Sequence, residues 1–214
     1  MSVIGGHRAT GPVPINIPGH HPDLEPRSRD LDKAEEALNE AEYSLDEINE
    51  GLEIVYPEGA QGQRRAAELI AENAGEVGIE IDIQGVPWAN FVDSTSASDT
   101  SPTMCTFYQS GNIPSPDAHT YLMYHPDSHG SWPAAAYLDN DEVNELIESA
   151  HQADSFDESL DIYMEVQEQI VEQYPAVMLS YSPFRIATNV RVGGFGFRGV
   201  TGMNRRFYDF HHES

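Results

Sequence analysis

Apolar residues recur with two different spacings in the first half of the chain, and they predict alternating helices and strands. Helical spacing runs through residues 32–43 and again through residues 62–78, where Ala and Leu alternate with acidic side chains. Residues 52–56 and 79–83 instead alternate apolar with acidic or polar side chains, which is typical of strands with one better-covered face. Gly78 is expected to end the second helix. A strand–helix–strand unit of this size predicts a parallel strand pair with a right-handed crossover.

The helical periodicity also predicts which side chains face the interior. Asp30 or Asp32 is the expected N-terminal cap of the first helix, since both precede its apolar positions. The residues expected to face inward are Leu31, Ala34, Leu38 and Ala41 in the first helix, and Ala66, Leu69, Ile70, Ala74 and Val77 in the second.

A third strand and a long loop follow. The strand is predicted at residues 103–108, and the loop covers residues 109–136, which are rich in Ser, Gly, Pro and His. A short helix is predicted inside the loop at residues 118–124. Loops of this length are uncommon unless they have a function, so this loop is the first place where we expect a binding site.

Two longer helices are predicted after the loop. The first begins at Asn140 or Asp141, and the second begins at Ser155 or Asp157 and is stopped by Pro175. The residues expected to face inward are Val143, Leu146, Ile147 and Ala150 in the first, and Leu160, Met164, Gln167, Val171 and Tyr174 in the second.

Composition divides the chain into three predicted parts. Residues 1–29 hold five prolines and little periodicity, which predicts an irregular entry segment. Residues 30–182 form a predicted α/β ligand-binding lobe, a mixed sheet flanked by helices. Residues 183–214 form a crossover and a tail that is glycine-rich and then aromatic. Strands are predicted on both sides of that junction, at residues 177–181 and 186–190.

Charge is the strongest compositional signal. The chain has 36 Asp and Glu against 11 Lys and Arg, for a formal net charge of −25, and Lys33 is its one lysine. Such self-repulsion destabilises a fold in dilute salt but is largely screened in concentrated salt. Because the acids share helices with regular apolar positions, disorder is not favoured, and we interpret the surface as halophilic. Direct binding to nucleic acid or anionic lipid is disfavoured, since both carry the same sign of charge.

Several classes of protein lack their signatures in this sequence. Cys105 is the one cysteine, so neither an internal disulfide nor a cysteine-based zinc site is expected. No stretch approaches the ~20 apolar residues of a membrane span, and the first residues carry no signal-peptide core or lipobox cysteine. No nucleophile elbow, phosphate-cradling glycine loop or Cys–His pair occurs. We therefore expect no enzyme activity, no cofactor and no direct membrane insertion.

Five segments match the motifs of one known family in that family's order. The first two motifs are "DxxKAxxLLxxAGY", which matches residues 32–43, and "IQxxLxxIGIxVxI", which matches residues 62–83. The next two are "WxGDYxDPDNF", which matches residues 108–119, and "YxNxEVDxLL", which matches residues 137–147. The last is "EAPxxPLYY" followed by "VxGF", which matches within residues 174–195. The chain therefore resembles the C-terminal lobe of the peptide- and nickel-binding (family 5) ABC-transporter solute-binding proteins, in a haloarchaeal-like form.

The resemblance implies the architecture and the partners. It implies a lobe of the periplasmic-binding-protein-like type II fold that closes with a second lobe over a peptide or similar solute. The closed protein would then dock on an ABC permease outside the cytoplasmic membrane. It also implies that an N-terminal lobe is missing, through a split gene or a truncation, and that residues 183–214 would pair with that lobe.

The resemblance places ligand contacts in the loop at residues 108–119. Family members use an Asp there to pair with the free ammonium group of a peptide. This sequence has Asn112 and Ser115 at two of the three acidic positions and keeps only Asp117. Asp117 either pairs with the amine or caps the short helix that follows. The other residues predicted to contact a ligand are Trp88, Tyr108, Tyr121, Trp132, Tyr137 and Arg185. For Trp88 the alternative is packing in the core. For Arg185 the alternative is an ion pair with an acidic residue of the protein itself.

Nine histidines raise the question of a metal site. Adjacent His pairs cannot place both rings on one face of a helix or strand. His125 and His129 have the helical i, i+4 spacing of zinc ligands, but Pro126 and Gly130 argue against a helix there. We expect no metal site, although a nickel- or metal-chelate binder remains an alternative through the resemblance. An interaction or structural module that kept the lobe fold without capturing a ligand is the other alternative.

The acidic surface predicts a specific dependence of stability on salt. The melting temperature should rise markedly between about 0.1 M and about 2 M KCl, because salt screens the repulsion between carboxylates. Most of the rise should be complete by about 1 M, where the Debye length is about 3 Å. Thermal unfolding followed by circular dichroism measures this, and a flat or falling melting temperature would contradict the halophilic interpretation.

Overall fold

A computed structural model describes residues 6–111, 113–183, 187–194 and 209–212, and within them helices and strands follow the α/β order that the sequence predicts. The helices are α1 (Leu31–Glu40), α2 (Leu45–Asn49), α3 (Gln61–Gly75), α4 (Trp88–Thr95), α5 (Tyr121–Tyr124), α6 (Asp141–Gln152) and α7 (Phe156–Glu172). The strands are β1 (His7–Arg8), β2 (Glu53–Pro57), β3 (Asp82–Val86), β4 (Met104–Cys105), β5 (Ser180–Tyr181), β6 (Val192–Gly193) and β7 (His211–His212).

These elements belong to two compact units. We name the first the sheet unit, which comprises Arg27–Gln109 and Pro126–Tyr137. We name the second the helical unit, which comprises Met1–Pro26, Ser110–His125 and Leu138–Ser214. The division of the sequence at residues 29 and 182 stays a prediction.

A three-stranded parallel sheet in the order β3-β2-β4 organises the sheet unit. Strand β2 lies in the centre, and its Ile54 and Val55 are both buried although they point to opposite faces. Helix α3 connects β2 to β3, so the predicted parallel strand pair is confirmed.

Strand boundaries differ from the prediction at β3. Residues 79–83 were expected to be extended, but the strand begins at Asp82, which pairs with Glu53. The end of α3 explains the shift, because Gly78 has φ +85° and the Ile79 amide donates to the Ala74 carbonyl. The chain therefore needs three more residues to leave the helix end and reach the sheet.

Two helices of the sheet unit also correct the prediction. In α3 the buried residues are Gln63 and Ala67, one helical turn apart, instead of the apolar residues that the sequence places inward. Those apolar side chains include Leu69 and Ile70, which are only half-buried. Helix α2 was not predicted, although Ser44 and Glu47 at its start form a reciprocal capping box that is readable in the sequence.

The core of the helical unit lies between α6 and α7. Asn140 caps α6 and Ser155 caps α7, each by accepting a hydrogen bond from a backbone amide of the first turn, as predicted. The predicted inward face of α6 is confirmed, since Val143, Ile147 and Ala150 are buried.

The predicted inward face of α7 is confirmed at Gln167, but its other predicted positions are not the buried ones. The residues buried there are Tyr163, Val166, Gln167 and Ile170, whereas Tyr174 is exposed and lies beyond the helix. The prediction followed Leu160 and Met164, which are only half-buried. Two overlapping apolar stripes run along this helix, and the helix turns the one with Tyr163 and Ile170 toward α6.

The entry segment is held in the helical unit by long-range hydrogen bonds. The buried Gln167 amide donates to the Gly19 carbonyl over 2.7 Å, and the Tyr181 hydroxyl accepts from the Gly11 amide over 3.0 Å and donates to the Gly11 carbonyl over 2.9 Å. Strand β1 pairs antiparallel with β5, so residues 1–29 contain a strand that the sequence does not predict.

Other predicted strands are shorter or differ. The strand at residues 103–108 is reduced to β4, and the strand at 177–181 to β5. At residues 187–190 the structure has no strand, and the Val192 amide donates to the Asn189 carbonyl in a turn. Residues 184–186 and 195–208, which include most of the predicted aromatic tail, lie outside the described residues.

The observed face of α7 predicts which substitution destabilises the helical unit. Ile170→Ala should lower the free energy of unfolding by about 2–5 kcal/mol, because Ile170 is fully buried. Met164→Ala in the same helix is the control and should lower it less, since Met164 is half-buried. Urea unfolding of both variants measures this, and a larger loss for Met164→Ala would favour the stripe predicted from sequence.

Candidate functional site

The candidate site in the helical unit is built around the carboxylate of Asp117. Asp117 lies in a short 3₁₀ turn (Pro116–Ala118) whose cap is Ser115, because the Ser115 hydroxyl accepts from the Asp117 amide over 3.3 Å. Asp117 is therefore not itself the cap, and α5 has no side-chain cap in the described structure. The alternative that Asp117 caps the short helix is thus wrong, and Ser115 caps only the 3₁₀ turn.

Two side chains from the α6–α7 pair donate to the same oxygen of Asp117. The Tyr163 hydroxyl of α7 donates to Oδ1 over 2.9 Å, and His151 Nε2 from the last turn of α6 lies 2.6 Å from Oδ1. Since a carboxylate only accepts, His151 must carry its proton on Nε2. Among the residues that the structure describes, none donates a hydrogen bond to Oδ2.

The Asp117 site is accessible to a ligand. The Asp117 side chain is 35% exposed and that of His151 is 41% exposed. Tyr163 is buried beneath them, and burial, followed by the hydrogen bond and negative charge of Asp117, raises the pKa of Tyr163. The phenol therefore stays protonated and acts as a fixed donor to Asp117.

Tyr121 links this site to a second imidazole. Its ring lies 5.3 Å from the ring of His151 and is stacked on that of His125, with 4.6 Å between centroids and 15° between planes. His125 Nε2 in turn lies 3.8 Å from Oε1 of Glu148 on α6. The predicted ligand residue Tyr121 thus lies between two imidazoles, each with a carboxylate neighbour.

The other predicted ligand residues are spread over the chain. Asn112 and Arg185 lie outside the described residues. The sheet unit contains four of them, namely Trp88, Tyr108, Trp132 and Tyr137. That these side chains contact a ligand stays a prediction.

Aromatic side chains cluster in the sheet unit after the carboxyl ends of the parallel strands. Trp88 is the first residue of α4, directly after β3, and is 51% exposed. It is stacked on the buried Phe91 at 5.6 Å and meets Trp132 edge-on at 5.1 Å, and Trp132 meets Phe107 at 5.3 Å. Trp88 thus both packs on the core and presents an aromatic surface.

Tyr108 and Tyr137 lie near that cluster in the chain and have different surroundings. Tyr108 is 60% exposed, and its hydroxyl lies so close to Gly62 that a Cβ there would come within 2.8 Å of it. The backbone of Tyr137 has φ +45°, and its hydroxyl donates a hydrogen bond to the Thr95 carbonyl over 3.0 Å. Tyr108 is therefore the more accessible of the two for a ligand.

Two buried polar groups of the sheet unit lack partners within the described structure. They are Oε1 of Gln63 in the first turn of α3 and Oγ1 of Thr106, the residue after β4. The Thr106 amide donates to Val55 of β2, which places Thr106 beside the carboxyl half of the central strand. Ligands of α/β sheets bind at that edge, so these two side chains join the candidate residues there.

Sequence reasoning did not find His151, Tyr163, Gln63 or Thr106. For His151 a signal existed, because residues 139–174 contain twelve Asp and Glu, no Lys or Arg, and this one imidazole. A single group able to carry positive charge in such a segment indicates a specific carboxylate partner. Nothing comparable distinguishes Tyr163 from the other apolar residues of α7.

Reactive or metal-binding groups are not assembled in the described parts of the chain. No cluster of three or more His, Cys, Asp or Glu side chains suits a metal ion there. Burial raises the pKa of the Cys105 thiol to about 11, so it stays protonated at neutral pH. Within the same residues, no helix combines the length and apolar character needed to cross a bilayer.

Comparison with known proteins identifies the class. Residues 2–131 match the family described as bacterial extracellular solute-binding proteins, family 5, middle part. The chain therefore belongs to this family of solute-binding proteins.

Known relatives share its fold at low sequence identity. It superposes on a periplasmic binding protein DppA of Helicobacter pylori in complex with the peptide STSA (TM-score 0.82, 21% identity, 98% of this chain and 40% of that one). It also superposes on a dipeptide-binding protein of Pseudoalteromonas sp. SM9913 in complex with Met-Leu (TM-score 0.79, 18% identity, 97% and 40%). It is 24% identical to Protein XP55 of Streptomyces lividans over 78% of this chain and 31% of that protein.

These comparisons establish two points. The predicted periplasmic-binding-protein-like α/β fold is confirmed. The chain spans only about a third to two fifths of the length of these relatives.

The buried His119 predicts how stability depends on pH. Its side chain is only 3% exposed, and this burial lowers its pKa to about 4 from an ordinary value of 6.5. The unfolded chain therefore binds a proton that the folded chain does not between these values, so His119 destabilises the fold as pH falls from 6.5 toward 4. Between about pH 7.5 and about pH 5 the contribution is about 2 kcal/mol.

The measurement is urea unfolding at both pH values for the wild type, His119→Leu and His7→Leu. His119→Leu should lose about 2 kcal/mol less than the wild type on acidification, whereas His7→Leu, at an exposed position, controls for loss of an imidazole. Equal losses in the wild type and His119→Leu would contradict the assignment.

Proposed function

We propose that this chain is the C-terminal, ligand-binding lobe of the substrate-binding component of an ABC importer for peptides or similar solutes. It acts outside the cytoplasmic membrane, without catalysing a reaction. The observation that carries the proposal is a family match over residues 2–131. The matched residues include Asp117, whose side chain is 35% exposed. Asp117 lies in the loop where the family resemblance expects the amine of the ligand to bind.

The geometry at Asp117 supports capture of an ammonium group. Both internal donors lie on Oδ1, and the side chain is partly open to solvent. An ammonium group that approaches Oδ2 would form a charge-assisted hydrogen bond, which is about twice as strong as a neutral one. Related structures are described with the peptide STSA and with Met-Leu bound, which agrees with a peptide as the ligand class.

The proposal includes an N-terminal lobe and a permease as partners. The chain covers only 31–43% of the relatives that it matches, which supports a ligand site completed by residues outside this chain. Residues 183–214 are proposed to pair with that lobe. A single lobe is expected to bind weakly, because half of the contacts and of the ligand's desolvation are absent.

The proposal predicts the effect of Asp117→Asn. The variant should weaken binding of trialanine by about 1.5–3 kcal/mol, the range for a hydrogen bond to a charged group. Asn keeps an oxygen for Tyr163 and His151, so the loop should stay in place while the ammonium group loses its anionic partner. Binding of N-acetyl-trialanine should hardly change, because that peptide has no ammonium group.

The measurement is NMR or calorimetric titration of both peptides, in KCl at which circular dichroism shows the chain folded. Asp161→Asn, an exposed acid on α7, controls for the change in net charge. Equal losses for the two peptides would mean that Asp117 shapes the loop without contacting the amine. Absence of binding by both peptides would favour an interaction module.

A further inference from the structure

Two of the buried side chains of the sheet unit carry an oxygen that forms no hydrogen bond in the described structure. They are Gln63, which is 8% exposed and has Oε1 unpaired, and Thr106, which is 9% exposed and has Oγ1 unpaired. A buried polar group without a partner costs free energy, and native proteins contain few of them. Such groups are therefore places where the structure expects a partner from outside the chain.

The segment that follows β4 brings the two residues to the same boundary, beside the first turn of α3. Thr106 continues the ladder next to β2, to which its amide donates over 2.9 Å. Two residues later the Tyr108 hydroxyl lies so close to Gly62 that a Cβ there would come within 2.8 Å of it. Gly62 is followed directly by Gln63, whereas Phe107 packs in the aromatic cluster instead. Both unpaired oxygens thus belong to residues that flank the contact between Tyr108 and α3.

The electrostatic surroundings disfavour a charged ligand group at this boundary. The amino-terminal end of a helix carries positive partial charge, which opposes an ammonium group, and α3 has no side-chain cap that would neutralise it. An anion would bring only acceptors to Oε1 of Gln63, which is itself an acceptor. The nearby guanidinium groups of Arg64 and Arg65 are both paired with Glu68, over 2.9 Å and 3.3 Å. The group that fits is therefore neutral and has a hydrogen to donate.

We propose that Gln63 and Thr106 form a subsite for an uncharged carboxamide group of the ligand, such as a C-terminal amide. The ligand amide donates an N–H to Oε1 of Gln63 and accepts from the amide N–H of the same side chain, so the pair is satisfied on both sides. The Thr106 hydroxyl donates or accepts at the remaining position. This inference rests on the proposed capture of a peptide or similar solute, and it adds the kind of group that the ligand presents to the sheet unit.

Tyr108 gives the ligand a way into this subsite. Its side chain is 60% exposed, and among the described residues none forms a hydrogen bond with its hydroxyl. Exposed side chains exchange rotamers on the picosecond to nanosecond timescale. Tyr108 therefore moves off the first turn of α3 without breaking a hydrogen bond, and this movement uncovers the boundary at Gln63.

Apolar replacements of similar size test the subsite. Gln63→Met and Thr106→Val each remove one of the unpaired oxygens. The wild type should bind trialanine amide about fivefold more tightly than trialanine, as one net hydrogen bond of ordinary strength gives. The double variant should lower this ratio to less than about twofold, because the carboxamide has lost its partners. NMR titration of both peptides, in KCl at which circular dichroism shows the chain folded, measures the ratio.

A stability measurement separates binding from a structural role. Since the two oxygens are unpaired without a ligand, Gln63→Met and Thr106→Val should leave the midpoint of urea unfolding unchanged or raise it. Thr95→Val is the matched control, because the buried Thr95 hydroxyl donates to the Phe91 carbonyl over 2.8 Å. That variant should lower the midpoint and leave the ratio of the two peptide affinities intact.

Three outcomes overturn the inference. If both peptides bind the wild type but their ratio is the same in the double variant, peptide binding stands and the carboxamide subsite does not. A midpoint lowered in Gln63→Met and Thr106→Val as in Thr95→Val would show that enclosed water satisfies the two oxygens and that no ligand group is needed there. If neither peptide binds the wild type, the proposed function itself is wrong, and the subsite is lost with it.

Discussion

The packing of α6 against α7 is the constraint on which the Asp117 site depends. Buried apolar side chains from both helices form the core of the helical unit, and the Ser159 hydroxyl adds a hydrogen bond to the Ala150 carbonyl over 2.8 Å. His151 follows Ala150 directly at the end of α6, and Tyr163 is itself part of the core of α7. The two donors of Asp117 therefore keep a fixed separation only while this helix pair stays packed.

This dependence explains why some elements were predictable from sequence and others were not. Helix α6 has one apolar stripe and a clear cap at Asn140, so local pattern determines both its start and its buried face. Helix α7 has two overlapping stripes of similar hydrophobicity, and only contact with α6 selects the one with Tyr163 and Ile170. Short strands such as β1 and β5 exist through pairing of residues more than 170 positions apart, which local spacing does not reveal.

In the candidate site too, the features fixed by local sequence were predictable and those fixed by long-range contacts were not. The loop of Asp117 was found through family resemblance, because a local motif carries it. Its partners His151 and Tyr163 lie 34 and 46 positions further along the chain, so their roles depend on the tertiary fold. Gln63 and Thr106 were missed for a different reason. They are candidates because each has a buried oxygen that forms no hydrogen bond within the described structure. Sequence patterns predict which groups are polar, but the fold determines which of them lack partners.

The net charge of −25 gives the Asp117 geometry a particular importance. A strongly acidic surface attracts any cation at long range, so it offers little discrimination between a peptide amine and a salt ion. In concentrated salt of about 1 M, the Debye length falls to about 3 Å and that attraction is lost. What remains is contact between groups at hydrogen-bond distance, where orientation of the carboxylate matters more than its charge alone. Two donors on Oδ1 supply that orientation. Selectivity in such a protein must therefore come from a few fixed contacts like these and not from its overall field.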